Sequence, residues 1–123
     1  MSDRFSIAAR LKSFTFAFAG IAYMLRTQHN AWLHLVATIL VILAGFGLHV
    51  SGEDGRWLVA AIVLVWTAEA VNTAFEHLCD VVSPEFHASV QKSKDIAAGA
   101  VLICATGAVI IGLQVFVPYL LRH

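Results

Sequence analysis

The 123 residues are 59% hydrophobic and 13% charged, with a formal net charge of zero and a mean hydropathy of +0.79. Soluble domains carry about 25% charged residues, and so short a chain has too little interior to hide this much apolar surface. The composition therefore indicates an integral membrane protein, one domain at most over residues 1–123, and the charge balance excludes a basic nucleic-acid binder.

In chain order, the first segment, about residues 4–28, is expected to be a helix that does not span. Ile7, Leu11, Phe14, Phe18, Ile21 and Leu25 recur at alternating four- and three-residue steps, which lines them on one face. Arg4, Arg10, Lys12 and Arg26 flank or oppose that face, the pattern of an amphipathic helix in the headgroup layer. A short helix packed on the spanning bundle is the plainer alternative. Arg10 and Lys12 before "SFTFAFAGIAYML" mimic the start of a signal peptide, but no cleavage site followed by a polar mature start appears.

The first spanning helix is expected at about 31–50, a stretch without formal charge whose ~20 residues suffice for a ~30 Å hydrocarbon core. His34 and His49 fall near its two ends, where a polar ring tip is cheap. "SGEDGR" at 51–56 reads as a tight polar loop with turn-forming glycines. The second spanning helix covers about 57–82 and breaks at Ser83-Pro84. "EFHASVQKSKD" reads as a polar connector, and a third helix covers about 94–119, ending near Pro118.

Lysine and arginine positions set the orientation. An N-terminus in the cytoplasm places Arg4, Arg10, Lys12, Arg26, Lys92 and Lys94 on that side, against Arg56 and Arg122 on the other. The 83–93 connector then faces the compartment that holds ATP. Cys79 and Cys104 lie within apolar helical runs without CxxC or Cys/His spacing and read as buried thiols.

The second helix runs without a turn signal into "TAEAVNTAFEHLCD". At about 100° per residue, Glu69, Asn72, Glu76 and Asp80 fall within about 80° of arc. They form one polar stripe about 16 Å long, rising from inside the bilayer to its cytoplasmic surface. Ionisable residues in a spanning segment face protein or water and mark functional sites by default.

Oxygen-only ligands suit Mg²⁺, which takes one or two carboxylates plus phosphate oxygens and water. "KSKD" brings Lys92, Lys94 and Asp95 to the level of Glu76 and Asp80; its ordinary role is a snorkelling helix end. A cation beside carboxylates, facing the nucleotide-bearing compartment, provides the parts for phosphoryl transfer. The deeper Glu69 is placed to accept a proton from a lipid alcohol. No Walker A or GxGxxG sequence is present, which excludes a soluble-type kinase.

"AEAVNTAFEHLCDVVSPEFH" followed by "KSKDIAAGAVLICA" resembles the signature of the prokaryotic diacylglycerol kinase family, which includes the undecaprenol kinases. "FAFAGIAYMLRTQHNAWLHL" is similar to that family's N-terminal portion, closer to the undecaprenol-kinase branch. The resemblance covers nearly the whole chain. It implies an all-α homotrimer in the bacterial inner membrane, each protomer with three spanning helices and a surface helix, and with active sites shared between neighbours.

It further implies Mg²⁺-dependent transfer of the ATP γ-phosphate to a lipid hydroxyl, of diacylglycerol or undecaprenol, in phospholipid or cell-wall lipid recycling. By the same resemblance Glu69 is the catalytic carboxylate and Glu76 a metal ligand, with Asn72 and Asp80 in support. Glu85, Phe86, His87, Lys94 and Asp95 would surround the nucleotide. Two positions depart from the pattern. Gln28 stands where the family usually has a glutamate assisting Glu76 at the metal, and Phe86 stands where it has a tyrosine. Alternative readings are a small transporter or proton relay along the stripe, and an inactive assembly protein.

Overall fold

The computed structural model describes residues 4–122, which form four helices: α1 (Ile7–Thr27), α2 (His29–Gly47), α3 (Gly52–Val82) and α4 (Ala88–Leu121). Helices α2, α3 and α4 are each long and apolar enough to cross a membrane. Their lengths of 19, 31 and 34 residues correspond to about 28, 46 and 51 Å at helical rise. Both α3 and α4 therefore exceed a ~30 Å hydrocarbon core and carry polar ends beyond it.

The expected elements are all present, but two polar stretches prove to be helical. "SGEDGR" is the first turn of α3: Ser51 is the N-cap, its Oγ accepting from Asp54 N at 3.1 Å, with Glu53 and Asp54 in the first turn. A serine cap satisfies an orphan N–H, and acidic side chains complement the positive end of the helix. These terms outweigh the glycines. Similarly, α4 begins at Ala88 after the His87 N-cap, so most of the supposed connector continues the helix. Pro118 does not end α4, which runs on to Leu121. So near the terminus proline forfeits only one backbone hydrogen bond.

The α2–α3 turn is a tight reversal. His49 has φ 54°, its N–H donates to Phe46 O at 3.2 Å, and Val50 N donates to Gly45 O at 3.0 Å. This paired pattern closes the last turn of α2, with a left-handed residue at the position glycine usually takes. At the other end of the chain's bundle, Ser83 closes α3 by donating to Cys79 O and stands before Pro84, which disfavours further helix.

Helix α3 is central. It packs most extensively on α4, and also on α2 and α1. The buried apolar residues form a thin seam of Leu58, Ala61 and Val65 on α3 with Val101 and Val115 on α4. Tyr119 ties the ends of these two helices together: its hydroxyl donates to Asp54 Oδ2 at 2.8 Å and accepts from Ser51 N at 2.9 Å.

Large apolar side chains point outward, among them Leu33 and Leu40 of α2, Leu64 of α3 and Ile103 and Leu113 of α4. On α1 the stripe Ile7, Leu11, Phe14, Phe18 and Ile21 is likewise exposed, and Met24 alone is buried. Most of the α1 stripe is thus left uncovered by the other helices, while Ile21 borders the groove between α1 and α3 and Leu25 is half-buried. The C-terminal turn anchors α1 instead, where Trp32 Nε1 donates to Leu25 O.

Candidate functional site

Polar groups inside this chain concentrate on one face of α3. Glu69, Asn72 and Thr73 are the buried polar residues among those described, at 1%, 6% and 5% exposure. Glu69 is more enclosed than any leucine in the chain, the reverse of the usual ordering for an ionisable group. Exposure then increases along the stripe: Glu76 is half-buried and Asp80 exposed. The four residues predicted to share a face do so on the helix observed.

Asn72 Nδ2 donates to Glu76 Oε1 at 3.3 Å, an i,i+4 contact that orients the carboxylate. The amide oxygen of Asn72 and the hydroxyl of Thr73 are buried without hydrogen-bond partners. Such groups are costly unless something else satisfies them. Glu69 Oε2 faces His34 Nε2 across 3.4 Å, from α3 to α2. Neither atom makes a hydrogen bond in this arrangement. His34 was expected to be an inconspicuous helix-end residue. It lies one turn after the buried Ala31 and four residues before Thr38, whose Oγ1 donates to His34 O and accepts from Trp66 Nε1 at 2.9 Å.

At the exposed end of the stripe, Lys94 Nζ lies 3.1 Å from Asp80 Oδ1, joining α4 to α3. Asp95 accepts from Gln91 Nε2 at 3.0 Å within α4. Glu85, Phe86 and His87 are exposed in the α3–α4 connection, near this pair in the chain. Gln28 sits at the α1–α2 junction, and its amide Nε2 lies 3.4 Å from Thr27 Oγ1. Among the described residues it makes no hydrogen bond to Glu76.

Two grooves flank the stripe. One, of about 250 Å³ between α2 and α4, is lined by Asn30, Leu33, His34, Asn72 and Val101 among others. The other, of about 340 Å³ between α1 and α3, is largely apolar and includes Phe16, Gly20, Tyr23, Thr73 and His77. Tyr23 and His77 approach each other there with ring centroids 5.3 Å apart. A third hollow, about 210 Å³, lies toward the other end of the bundle among Val41, Phe46, Leu58 and Ile62. It offers no ionisable side chain and stands apart from the stripe.

The family profile described as prokaryotic diacylglycerol kinase matches residues 15–116. The chain belongs to the prokaryotic diacylglycerol kinase family. It is 38% identical over 112 residues to a diacylglycerol kinase of Synechocystis sp., covering 90% of this chain and 64% of that protein. It is also 35% identical over 111 residues to an undecaprenol kinase of Bacillus subtilis, covering 89% of each chain. A diacylglycerol kinase of Escherichia coli K12 is 27% identical over 111 residues, covering 85% of this chain and 91% of that one. The chain thus spans somewhat less than two thirds of the Synechocystis relative and most of the other two. The named relatives are diacylglycerol and undecaprenol kinases, and three membrane-length apolar helices make this chain a multi-pass membrane protein.

Proposed function

We propose that the protein transfers the γ-phosphate of ATP to the hydroxyl of a membrane lipid, diacylglycerol or undecaprenol, with Mg²⁺ as the metal, in phospholipid or cell-wall lipid recycling. The observation that carries this reading is the graded stripe on α3, which runs from the buried Glu69 to the exposed Asp80–Lys94 pair. One end suits a reactant dissolved in lipid, the other a reactant dissolved in water.

The donor chemistry fits Mg²⁺. Glu76 offers a carboxylate whose Oε1 is oriented by Asn72, and a hard cation that keeps water and phosphate oxygens needs few protein ligands. Glu76 would hold the ion, with the Gln28 amide oxygen as a neutral second donor. When bound, Mg²⁺ would neutralise charge on the phosphates.

The chain's own residues then divide the work. Lys94, Asp95, Glu85, Phe86 and His87 surround the nucleotide, with Lys94 supplying positive charge. Phe86 retains a ring for the base without a hydroxyl. Glu69 accepts the proton of the lipid alcohol as its oxygen bonds to the γ-phosphorus and the bond from phosphorus to the β-phosphate oxygen breaks, leaving ADP. Burial of Glu69 keeps water from competing at that oxygen. The apolar groove between α1 and α3 suits the hydrocarbon of the acceptor.

Placement follows from the same reading. With Lys92 and Lys94 in the cytoplasm, the N-terminus is cytoplasmic. The exposed apolar stripe of α1, with Arg4, Arg10 and Lys12, lies in the headgroup layer of the bacterial inner membrane. The exposed faces of α2 and α4 leave room for further copies, consistent with a homotrimer. The test is purified protein in mixed micelles with Mg·ATP and either diacylglycerol or undecaprenol. Phosphorylation of one or both supports the reading; no phosphorylated lipid from a folded protein would sink it.

A further inference from the structure

His34 is not assigned a role by the reaction just described, yet it is the polar side chain set against the buried carboxylate from another helix. Its Nε2 is 3.4 Å from Glu69 Oε2, with side-chain exposures of 17% and 2%, and neither atom has a hydrogen-bond partner. A carboxylate removed from water needs a donor, and the imidazole supplies one from Nε2 when its proton sits there. Catalytic contacts are often longer in the unliganded state and tighten with substrate bound.

The ring is held in place from several sides. Trp66, one turn before Glu69 on α3, meets it edge-on with centroids 6.1 Å apart and planes at 67°. The Trp66 indole donates to Thr38, which in turn donates to the His34 carbonyl. The adjoining face of α4 presents Ala98, Val101, Leu102 and Ala105, none of them ionisable. On α3 the next ionisable groups are Glu76 and His77, about two turns away. His77 faces Tyr23 of α1, and Lys94 of α4 is paired with Asp80.

We propose that His34 is a positioning residue for Glu69: its Nε2–H donates to Glu69 Oε2 and turns the other carboxylate oxygen toward the acceptor hydroxyl. This rests on Glu69 being the base of the proposed reaction. The competing account is that the pair only glues α2 to α3, as polar contacts between membrane helices do.

The test compares His34→Ala, His34→Gln, Glu69→Gln and the double variant His34→Ala/Glu69→Gln, by thermal melting and by lipid phosphorylation with Mg·ATP. His34→Ala is expected to lower kcat at least about tenfold while KM for ATP stays within about twofold, since the lost contact acts on the reacting group alone. His34→Gln, which keeps a donor, regains most of that activity. In melting, His34→Ala lowers the midpoint in the wild-type background and by much less beside Glu69→Gln, because residues in contact are not additive.

His34→Leu fills the ring's space without a donor and carries the kinetic comparison should the alanine variant fail to fold. An unchanged kcat in a folded His34→Ala or His34→Leu protein, or equal melting losses in both backgrounds, overturns the proposal. Full activity in Glu69→Gln removes the base and the role of His34 together. Loss of coupling with an inactive Glu69→Gln removes His34 alone, so the two failures are distinguishable.

Discussion

Lys94 Nζ lies 3.1 Å from Asp80 Oδ1, so the first turns of α4 and the last turns of α3 meet in an ion pair at the exposed end of the stripe. Asp80's side chain is 66% exposed. Exposed pairs contribute little to stability, and salt screens them. Replacing Lys94 with Gln is therefore expected to leave the melting midpoint nearly unchanged. If Lys94 meets the nucleotide, KM for ATP rises about tenfold or more, the usual effect of losing a hydrogen bond to a charged group. Steady-state kinetics against ATP, beside a melt of the same sample, checks both halves.

Glu69→Gln preserves the shape of the buried side chain and removes its basicity. The expected result is a fall in kcat of about 10²- to 10⁴-fold, the span typical for a general base, with helix content and melting retained or raised. The rate is read as lipid phosphate formed per enzyme under saturating ATP. Wild-type turnover in this variant would assign proton removal elsewhere.

Gln28→Glu adds a carboxylate at the residue proposed to share the metal with Glu76. Where Gln28 contributes to metal binding, the Mg²⁺ concentration for half-maximal activity falls several-fold, since a charged oxygen holds a hard cation better than an amide. An unchanged Mg²⁺ titration would place Gln28 away from the ion, where its amide simply rests beside Thr27.

His49→Gly concerns stability alone. The left-handed backbone at His49, φ 54°, strains a residue with a Cβ by about 1 kcal/mol, and glycine relieves it. The variant is expected to melt higher with kcat unchanged. Because His49 lies at the α2–α3 turn, remote in the chain from Glu69 and Lys94, an altered rate would be unexpected.

Periodicity over long apolar runs made the four helices legible, and the 3.6-residue repeat placed Glu69, Asn72, Glu76 and Asp80 on one face. Helix ends were less legible. The glycines of "SGEDGR" read as turn formers, while Ser51 and Asp54 carry the stronger capping signal. At 88–93 polarity read as a connector, although a helix leaving a membrane is polar where it enters water. The His34–Glu69 contact was not readable at all. It joins residues 35 apart in the chain on different helices, and depends on the rotation of α2 about its own axis, which no local pattern specifies. Trp66 and Thr38, which the fold sets beside the His34 ring and its carbonyl, carry no mark in the sequence that points to it.

Side-chain exposure falls from 66% at Asp80 to 2% at Glu69 over about 16 Å of one helix. A reactant that must stay hydrated and one that must stay in oil can thus approach the same rod from opposite phases without either crossing the boundary. Under the proposed function, transfer to water, which would waste nucleotide as free phosphate, would be disfavoured by the burial of the deep end. Fidelity toward the oil-soluble partner would then originate in dehydration more than in recognition of its head.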